Sequence, residues 1–135
     1  MENPSRPEIK QILDEAKKIA IVGLSDNPDR TSYQIGAALQ SAGYEVIPVN
    51  PTITEVFGIK SIPSLEHLSE PVDIINVFRR SEYLEEVAEE ASNVEAKVFW
   101  CQLGLENEKA YEIAKNAGMT VIMDRCIKVE HALTR

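Results

Sequence analysis

The stretch that decides the fold is IAIVGLSDNPDRTSYQIG, residues 19–36. It opens with a continuous apolar run, the pattern of a strand buried on both faces. A glycine follows, then a polar loop, then a helical pattern, which is how the first βα turn of a nucleotide-binding sheet begins. After Gly23 the next glycine is Gly36, too far away for the G-x-G-x-x-G spacing of a dinucleotide fingerprint. Gly23 is expected to turn without a side chain, so that backbone N–H groups face an anion. Ser25 and Asn27 add short polar groups, and the helix beginning near Ser32 points its N-terminus into the same space, which favours phosphate.

Working outward, strands and helices alternate. Ser5 and Glu8 have capping-box spacing and open a helix over Pro7–Lys17. After the strand at 19–24 comes a helix over Ser32–Ala42, stopped at Gly43. YEVIPVN (44–50) is the second strand, ended by Asn50-Pro51. Ile59–Ile62 adds a short strand and SLEHL (64–68) a helical turn. DIINVF (73–78) is a third long strand; Ser81 is expected to cap the glutamate-rich helix after it, whose acidic side reads as a solvated face. KVFWC (97–101), a helix over Glu106–Ala117 ending at Gly118, and MTVIM (119–123) complete the pattern. The tail, DRCIKVEHALTR, reads as short and polar. Such alternation implies an α/β protein: one Rossmann-like, doubly wound, three-layer domain over 1–135, with a mostly parallel sheet of five to six strands.

Composition narrows the function. The formal net charge is -8, which argues against nucleic acid or an anionic membrane as partner. No apolar stretch is long enough to span a bilayer. The beginning, MENPSRPEIK, lacks the apolar region of a signal peptide. Two cysteines, Cys101 and Cys126, do not make a disulfide scaffold, and reduced thiols in the cytoplasm are expected.

In such a sheet a ligand sits beyond the carboxyl ends of the strands. Those ends carry Gly23-Leu24-Ser25-Asp26-Asn27, Asn50-Pro51-Thr52, Phe78-Arg79-Arg80, Gln102-Leu103-Gly104 and Asp124-Arg125-Cys126. Arg30, Arg79, Arg80, Arg125 and Lys128 lie at or just past them, a rim suited to a phosphorylated ligand. The plainer alternative pairs some of these arginines with Asp26, Asp29 or Asp124. NAD sites place an acid at the end of the second strand to grip the ribose. Here that place holds Val49-Asn50-Pro51, which counts against NAD and leaves room for a ribose 3′-phosphate, as in coenzyme A.

At this point five segments in order, IAIVGLSDNPDRTSY, GYEVIPVNP, PVDIINVFRRSE, AKVFWCQLGLENE and AGMTVIMDRCIKVEH, carry a resemblance. The chain resembles the stand-alone CoA-binding domain proteins, related to the N-terminal domain of the succinyl-CoA synthetase α subunit and of ADP-forming acyl-CoA synthetases. The resemblance implies coenzyme A, or an acyl-CoA, across the strand ends. Gly23, Ser25, Asp26, Asn27 and Arg30 would meet phosphates. Asn50 and Pro51 would lie near adenosine, and Val77, Phe78 and Arg79 beside the nucleotide. Gln102 and Gly104, with Cys101 and Leu103, would line the pantetheine path. The glycine-rich synthetase loop and the phosphohistidine domain have no counterpart here, so ligase activity is not implied.

Cys126 and His131 invite a nucleophile–base reading, but no third group orients them, and no catalytic residue is assigned. Two histidines and two cysteines at scattered positions do not give zinc spacing. Cys101 and Trp100 read as core. Cys126 sits beside Arg125 and Lys128, the electropositive setting reactive thiols occupy, and a mixed disulfide with coenzyme A is chemically open to it. The leading expectation is a coenzyme A-binding module. The alternatives are an enzyme acting on an acyl-CoA or CoA disulfide through Cys126, an NADP-type binder using Arg79 or Arg80, and a pure interaction protein.

Overall fold

The computed structural model describes residues 1–135. The first helix, α1 (Arg6–Glu15), starts as its capping box dictates: the Ser5 hydroxyl accepts the Glu8 N–H at 3.3 Å and donates to the Glu8 carboxylate at 3.0 Å. It buries Ile9 and Leu13. Then follow β1 (Lys18–Val22), α2 (Thr31–Ser41), β2 (Glu45–Val49), β3 (Glu55–Val56), β4 (Ile59–Lys60) and β5 (Val72–Val77). The chain ends with α3 (Leu84–Ala91), β6 (Ala96–Cys101), α4 (Glu108–Asn116), β7 (Thr120–Ile122) and α5 (Ile127–Leu133).

Five strands form one parallel sheet in the order β2-β1-β5-β6-β7, while β3 and β4 pair as a separate antiparallel hairpin. Ile62, at the end of the expected short strand, instead bridges Val49 beside the main sheet. Because side chains alternate along a strand, the sheet sorts its apolar residues into two cores. Ala20, Val22, Ile75, Val77, Phe99 and Cys101 pack with α3 and α4. Ile19, Ile21, Ile74, Trp100 and Ile122 pack on the other face with α1, α2 and α5. The edge beyond β7 is closed by one side chain. Asn3 donates to the Met123 carbonyl and accepts the Met123 N–H, both at 2.8 Å, imitating a strand where an open edge invites pairing.

Two sequence expectations need correction. Ser81 does not cap α3. It opens a 3-10 turn over Ser81–Tyr83, and its hydroxyl and carbonyl accept from the Glu106 N–H and the Asn107 side chain at 3.3 and 3.2 Å. The C-terminal tail is not merely polar. It forms α5, whose inward face buries Ile127, Glu130 and Thr134. The Glu130 carboxylate is buried against the Arg6 guanidinium at 3.4 Å, so two polar residues occupy a face that hydrophobicity alone would not find. No helix is long and apolar enough to cross a membrane.

The order of strands fixes where a crevice forms. From β1 the chain moves to β2 on one side and returns to β5 on the other, so the loops after β1 and β5 part at their carboxyl ends. That divergence is the topological switch point of a doubly wound sheet.

At the opposite edge, Asp73 anchors the start of β1 by accepting the Lys17 and Lys18 N–H groups at 2.8 and 2.9 Å, with the Lys97 ammonium 3.7 Å away. Partial burial pushes its carboxyl up, but these bonds and the Lys97 charge outweigh it, and the net shift is downward. The stability Asp73 contributes is therefore present above the ordinary carboxylate range and lost as pH falls through its lowered value. Asp73→Asn should lose about 1 kcal/mol at neutral pH and flatten the fall in stability below pH 4. Urea unfolding of both proteins at pH 7 and pH 3 checks this; parallel losses at both would contradict it.

Candidate functional site

Gly23 ends β1, and its geometry governs everything around it. Its φ is +87°, and a Cβ there would run into the Phe78 carbonyl oxygen at the end of β5. Its own N–H donates to the Val49 carbonyl at 2.8 Å, and the Phe78 N–H donates to Val22 at 2.8 Å. The N–H of Gly23 itself is therefore not free to face an anion. Its N–H is spent on β2, and the missing side chain admits the neighbouring strand.

The loop after Gly23 is tied largely to itself. The Ser25 N–H donates to the Ser32 hydroxyl, the Asn27 N–H to the Ser25 hydroxyl, and the Asp29 N–H to the Asn27 side chain, each at 3.0 Å. These short polar residues shape the turn that delivers α2. The helix itself begins open. Arg30 at its N-cap makes no side-chain capping bond, and the N–H groups of Thr31, Ser32 and Tyr33 find no partner in the chain. Unsatisfied donors at a helix N-terminus, with the dipole behind them, form an anion site.

Two adjoining cavities flank this point and share Gly23, Phe78 and Arg79. The smaller, about 320 Å³, runs over Asn50, Pro51, Thr52, Pro63 and Ser64 to α3. The larger, about 650 Å³, runs past Arg30, Arg80, Gln102 and Leu103 to Cys126. The two cavities differ in charge. Arg30, Arg79 and Arg80 line the larger with one acid, Asp29, whereas Glu86 and Glu90 line the smaller with one base, Arg79. None of the rim arginines pairs with Asp26, Asp29 or Asp124 through its carboxylate. Arg79 lies over the Tyr83 ring at 4.7 Å, Arg80 approaches Glu82 at 3.7 Å, and Arg125 bonds the Asp124 carbonyl at 2.8 Å.

The structure gathers some candidate residues and disperses others. Gly23, Arg30, Asn50, Pro51, Phe78, Arg79, Gln102 and Cys126 line the paired cavities; Ser25, Asp26, Asn27, Val77 and Gly104 do not. Val77 is fully buried in the core. The Gly104 N–H is bound by the Asp124 carboxylate at 2.7 Å. Asn50 lines the wall while its amide holds two loops, donating to Leu24 at 2.9 Å and accepting from the N–H and hydroxyl of Thr52 at 2.9 and 2.8 Å. The wall on α3 was not anticipated. The glutamate run reads as solvated, yet Glu90 accepts the Leu65 N–H at 3.3 Å and faces the smaller cavity. Its spacing from Val87, also on that wall, is the signal that places both on one helical side.

Cys101 is fully buried, and burial pushes its thiol up to about 12. Cys126 is partly exposed and opens on the larger cavity. His131 lies elsewhere. Its ring meets Tyr44 edge-on, 5.7 Å between centroids, and Tyr44 precedes β2 at the amino edge of the sheet. Burial and the Arg135 charge lower its pKa. The cysteine–histidine pairing therefore has no geometric support. No group of three His, Cys, Asp or Glu side chains is placed to hold a metal ion.

Residues 17–132 match the family model described as CoA binding domain. Bacillus subtilis protein YneT is 59% identical over 135 residues, spanning all of both chains. An ADP-forming acetate–CoA ligase of Methanocaldococcus jannaschii is 27% identical over 122 residues, 84% of this chain but 17% of that enzyme. Among solved structures, cell-free ID.343 from Thermus thermophilus superposes with a TM-score of 0.93 at 34% identity, covering 98% of this chain and 100% of that one.

The Gly23 contact makes a sharp prediction. Gly23→Ala meets both a forbidding φ and the Phe78 carbonyl, whereas Gly43→Ala (φ +103°) meets open space. Gly43→Ala should cost about 1–2 kcal/mol from backbone conformation alone, and Gly23→Ala roughly 2 kcal/mol more. Chemical unfolding of the two variants decides it; equal losses would mean that the β1–β5 approach is not a constraint.

Proposed function

The chain belongs to the CoA-binding domain family, and on that premise we propose that residues 1–135 form one domain that binds coenzyme A across the paired cavities. The observation that carries this reading is the open N-terminus of α2 beside Arg30, Arg79 and Arg80, on a protein of net charge -8. The unsatisfied N–H groups of Thr31 and Ser32 and three guanidiniums, with Asp29 the one carboxylate on that wall, fit a ligand bearing several phosphate charges.

The charge difference between the cavities sets the ligand's direction. Glu86 and Glu90 repel phosphate in the smaller cavity, whose Asn50-Pro51 and Pro63-Ser64 walls take the adenosine. The diphosphate lies at the α2 N-terminus beside Arg30. Arg79, lining both cavities, serves the ribose phosphate. The pantetheine arm follows Gln102 and Leu103 along the larger cavity. The roles of Ser25, Asp26, Asn27 and Gly104 in this reading are to hold the turns that form the walls. We assign the chain a binding role in the cytoplasm, with coenzyme A or an acyl-CoA as ligand and no ligase chemistry of its own.

Isothermal titration calorimetry of the reduced protein should show coenzyme A binding, with NAD and NADP silent. Arg79→Ala and Arg30→Ala should each weaken binding roughly tenfold, because each removes a charge-assisted bond. 3′-Dephospho-CoA should bind more weakly than coenzyme A to the parent but lose less on Arg79→Ala. Binding of NADP as tight as coenzyme A, or no coenzyme A binding in ligand-free protein, would overturn the assignment.

A further inference from the structure

The turn from β7 into α5 is built more rigidly than its place in the chain requires. Asp124 adopts φ +58°, a left-handed conformation that costs a non-glycine residue energy. Its carboxylate accepts the Gly104 N–H at 2.7 Å, and its N–H donates to the Leu105 carbonyl at 3.2 Å. Two buried side chains then grip the peptides on either side of Cys126. The Trp100 indole N–H donates to the Arg125 carbonyl at 2.9 Å, and the Gln102 side-chain oxygen accepts the Ile127 N–H at 3.0 Å. A tryptophan from the core and an almost wholly buried glutamine thus fix the backbone of one partly exposed cysteine against a cavity wall.

Gln102 supplies a second, independent binding feature on the wall of this cavity. The residue is only 5% exposed, and its Oε1 is shared between the Ile127 N–H and the Asn76 amide. Its Nε2 makes no hydrogen bond within the chain, and Gln102 lines the same cavity as Cys126. Only the Asn76 Oδ1 is sealed from solvent without a partner, so this donor keeps an open face on the cavity. A ligand carbonyl would satisfy it. Leu103, 67% exposed, adds an apolar surface next to it. The wall of this one cavity offers cations, an amide donor, an apolar side chain and a thiol. A linear ligand with phosphates at one end, amides in the middle and sulfur at the other would find a partner for each.

We propose that Cys126 is a thiol–disulfide exchange site at which the protein takes up the disulfide form of coenzyme A as a mixed disulfide. The proposal rests on the coenzyme A reading above and deepens it. In the step, the Cys126 thiolate attacks one sulfur of CoA disulfide. The Cys126–sulfur bond forms as the CoA sulfur–sulfur bond breaks, and one CoA leaves as thiolate. The proton given up by Cys126 goes to solvent, from which the departing thiolate takes one. No net oxidation occurs and no further oxidant is needed. The pocket raises the local concentration of the correct disulfide beside the thiol, so selectivity comes from binding. The product would seal the cavity with covalently held coenzyme A until a free thiol releases it.

Intact-mass spectrometry and peptide mapping after incubating the full-length reduced protein with CoA disulfide or glutathione disulfide test the proposal. The expected adduct has the mass of one coenzyme A and maps to Cys126, with Cys101 unmodified. It should form roughly tenfold faster than the glutathione adduct and slow when S-methyl-CoA, which cannot exchange, occupies the pocket. Calorimetry of Cys126→Ser with reduced coenzyme A separates the two levels. Binding by this variant, with no adduct on the parent or with equal rates for both disulfides, overturns the exchange site and leaves the binding assignment standing. Absence of coenzyme A binding in the parent overturns both.

Discussion

The site depends on one close approach. At the end of β1, backbone meets backbone: Gly23 has no side chain, and the Phe78 carbonyl fills the place of its Cβ. This brings β1 and β5 together at the point where the chain reverses its direction across the sheet. Bonds from Gly23 to Val49 and from Phe78 to Val22 extend the ladder one step past the strands on both sides. The two cavities then open from a rigid ridge, and Arg79 follows directly after it. A bulkier residue at position 23 would force β1 and β5 apart and merge or distort both cavities.

Around that ridge, polar groups divide into those that hold the loops and those left open. Asn50, Ser25, Asn27 and Asp124 spend their side chains on neighbouring backbone. The first N–H groups of α2 and the Gln102 Nε2 spend theirs on nothing in the chain. Folding leaves buried polar groups unpaired only at a cost. The one side-chain atom in that position is the Asn76 Oδ1 on β5, buried without a partner although its amide nitrogen reaches Trp100 and Gln102. Asn76 therefore backs the residues that fix Cys126 at some cost in stability. Concentration of such costs along one edge of the sheet is the mark of a site whose geometry matters more than its contribution to folding.

The sheet was legible in the sequence because its strands are buried on both faces. IAIV, DIINV and VFWC carry no period-two alternation, and only a parallel sheet covered by helices accommodates them. The family resemblance and the coenzyme A expectation agree with the match over residues 17–132. The strand ends brought Gly23, Phe78, Arg79, Gln102 and Cys126 together as topology requires. What escaped was local. Ser25 and Asn27 have the composition of ligand contacts but the geometry of turn formers, and the two uses demand the same short polar residues. The glutamates of α3 looked solvated because periodicity reports which side faces the core, not which side borders a crevice. The C-terminal helix hid behind Glu130 and Thr134, buried polar residues satisfied by Arg6 and by helix carbonyls.

Net charge and local charge act on different scales, and the protein uses both. A charge of -8 repels anions at long range. Yet the wall of the larger cavity sets Arg30, Arg79 and Arg80 against a single carboxylate, Asp29, beside the α2 N-terminus, which has no side-chain cap, while Glu86 and Glu90 line the neighbouring cavity. Within a screening length of roughly 8 Å at physiological salt, three guanidiniums and the helix dipole outnumber the nearby carboxylates of Asp29 and Glu82. On the coenzyme A reading, a polyanion would therefore be selected where it docks rather than by attraction to the surface as a whole. On that reading, a compact ligand carrying several phosphates would meet Arg30, Arg79 and Arg80 on one cavity wall, without needing an extended basic face.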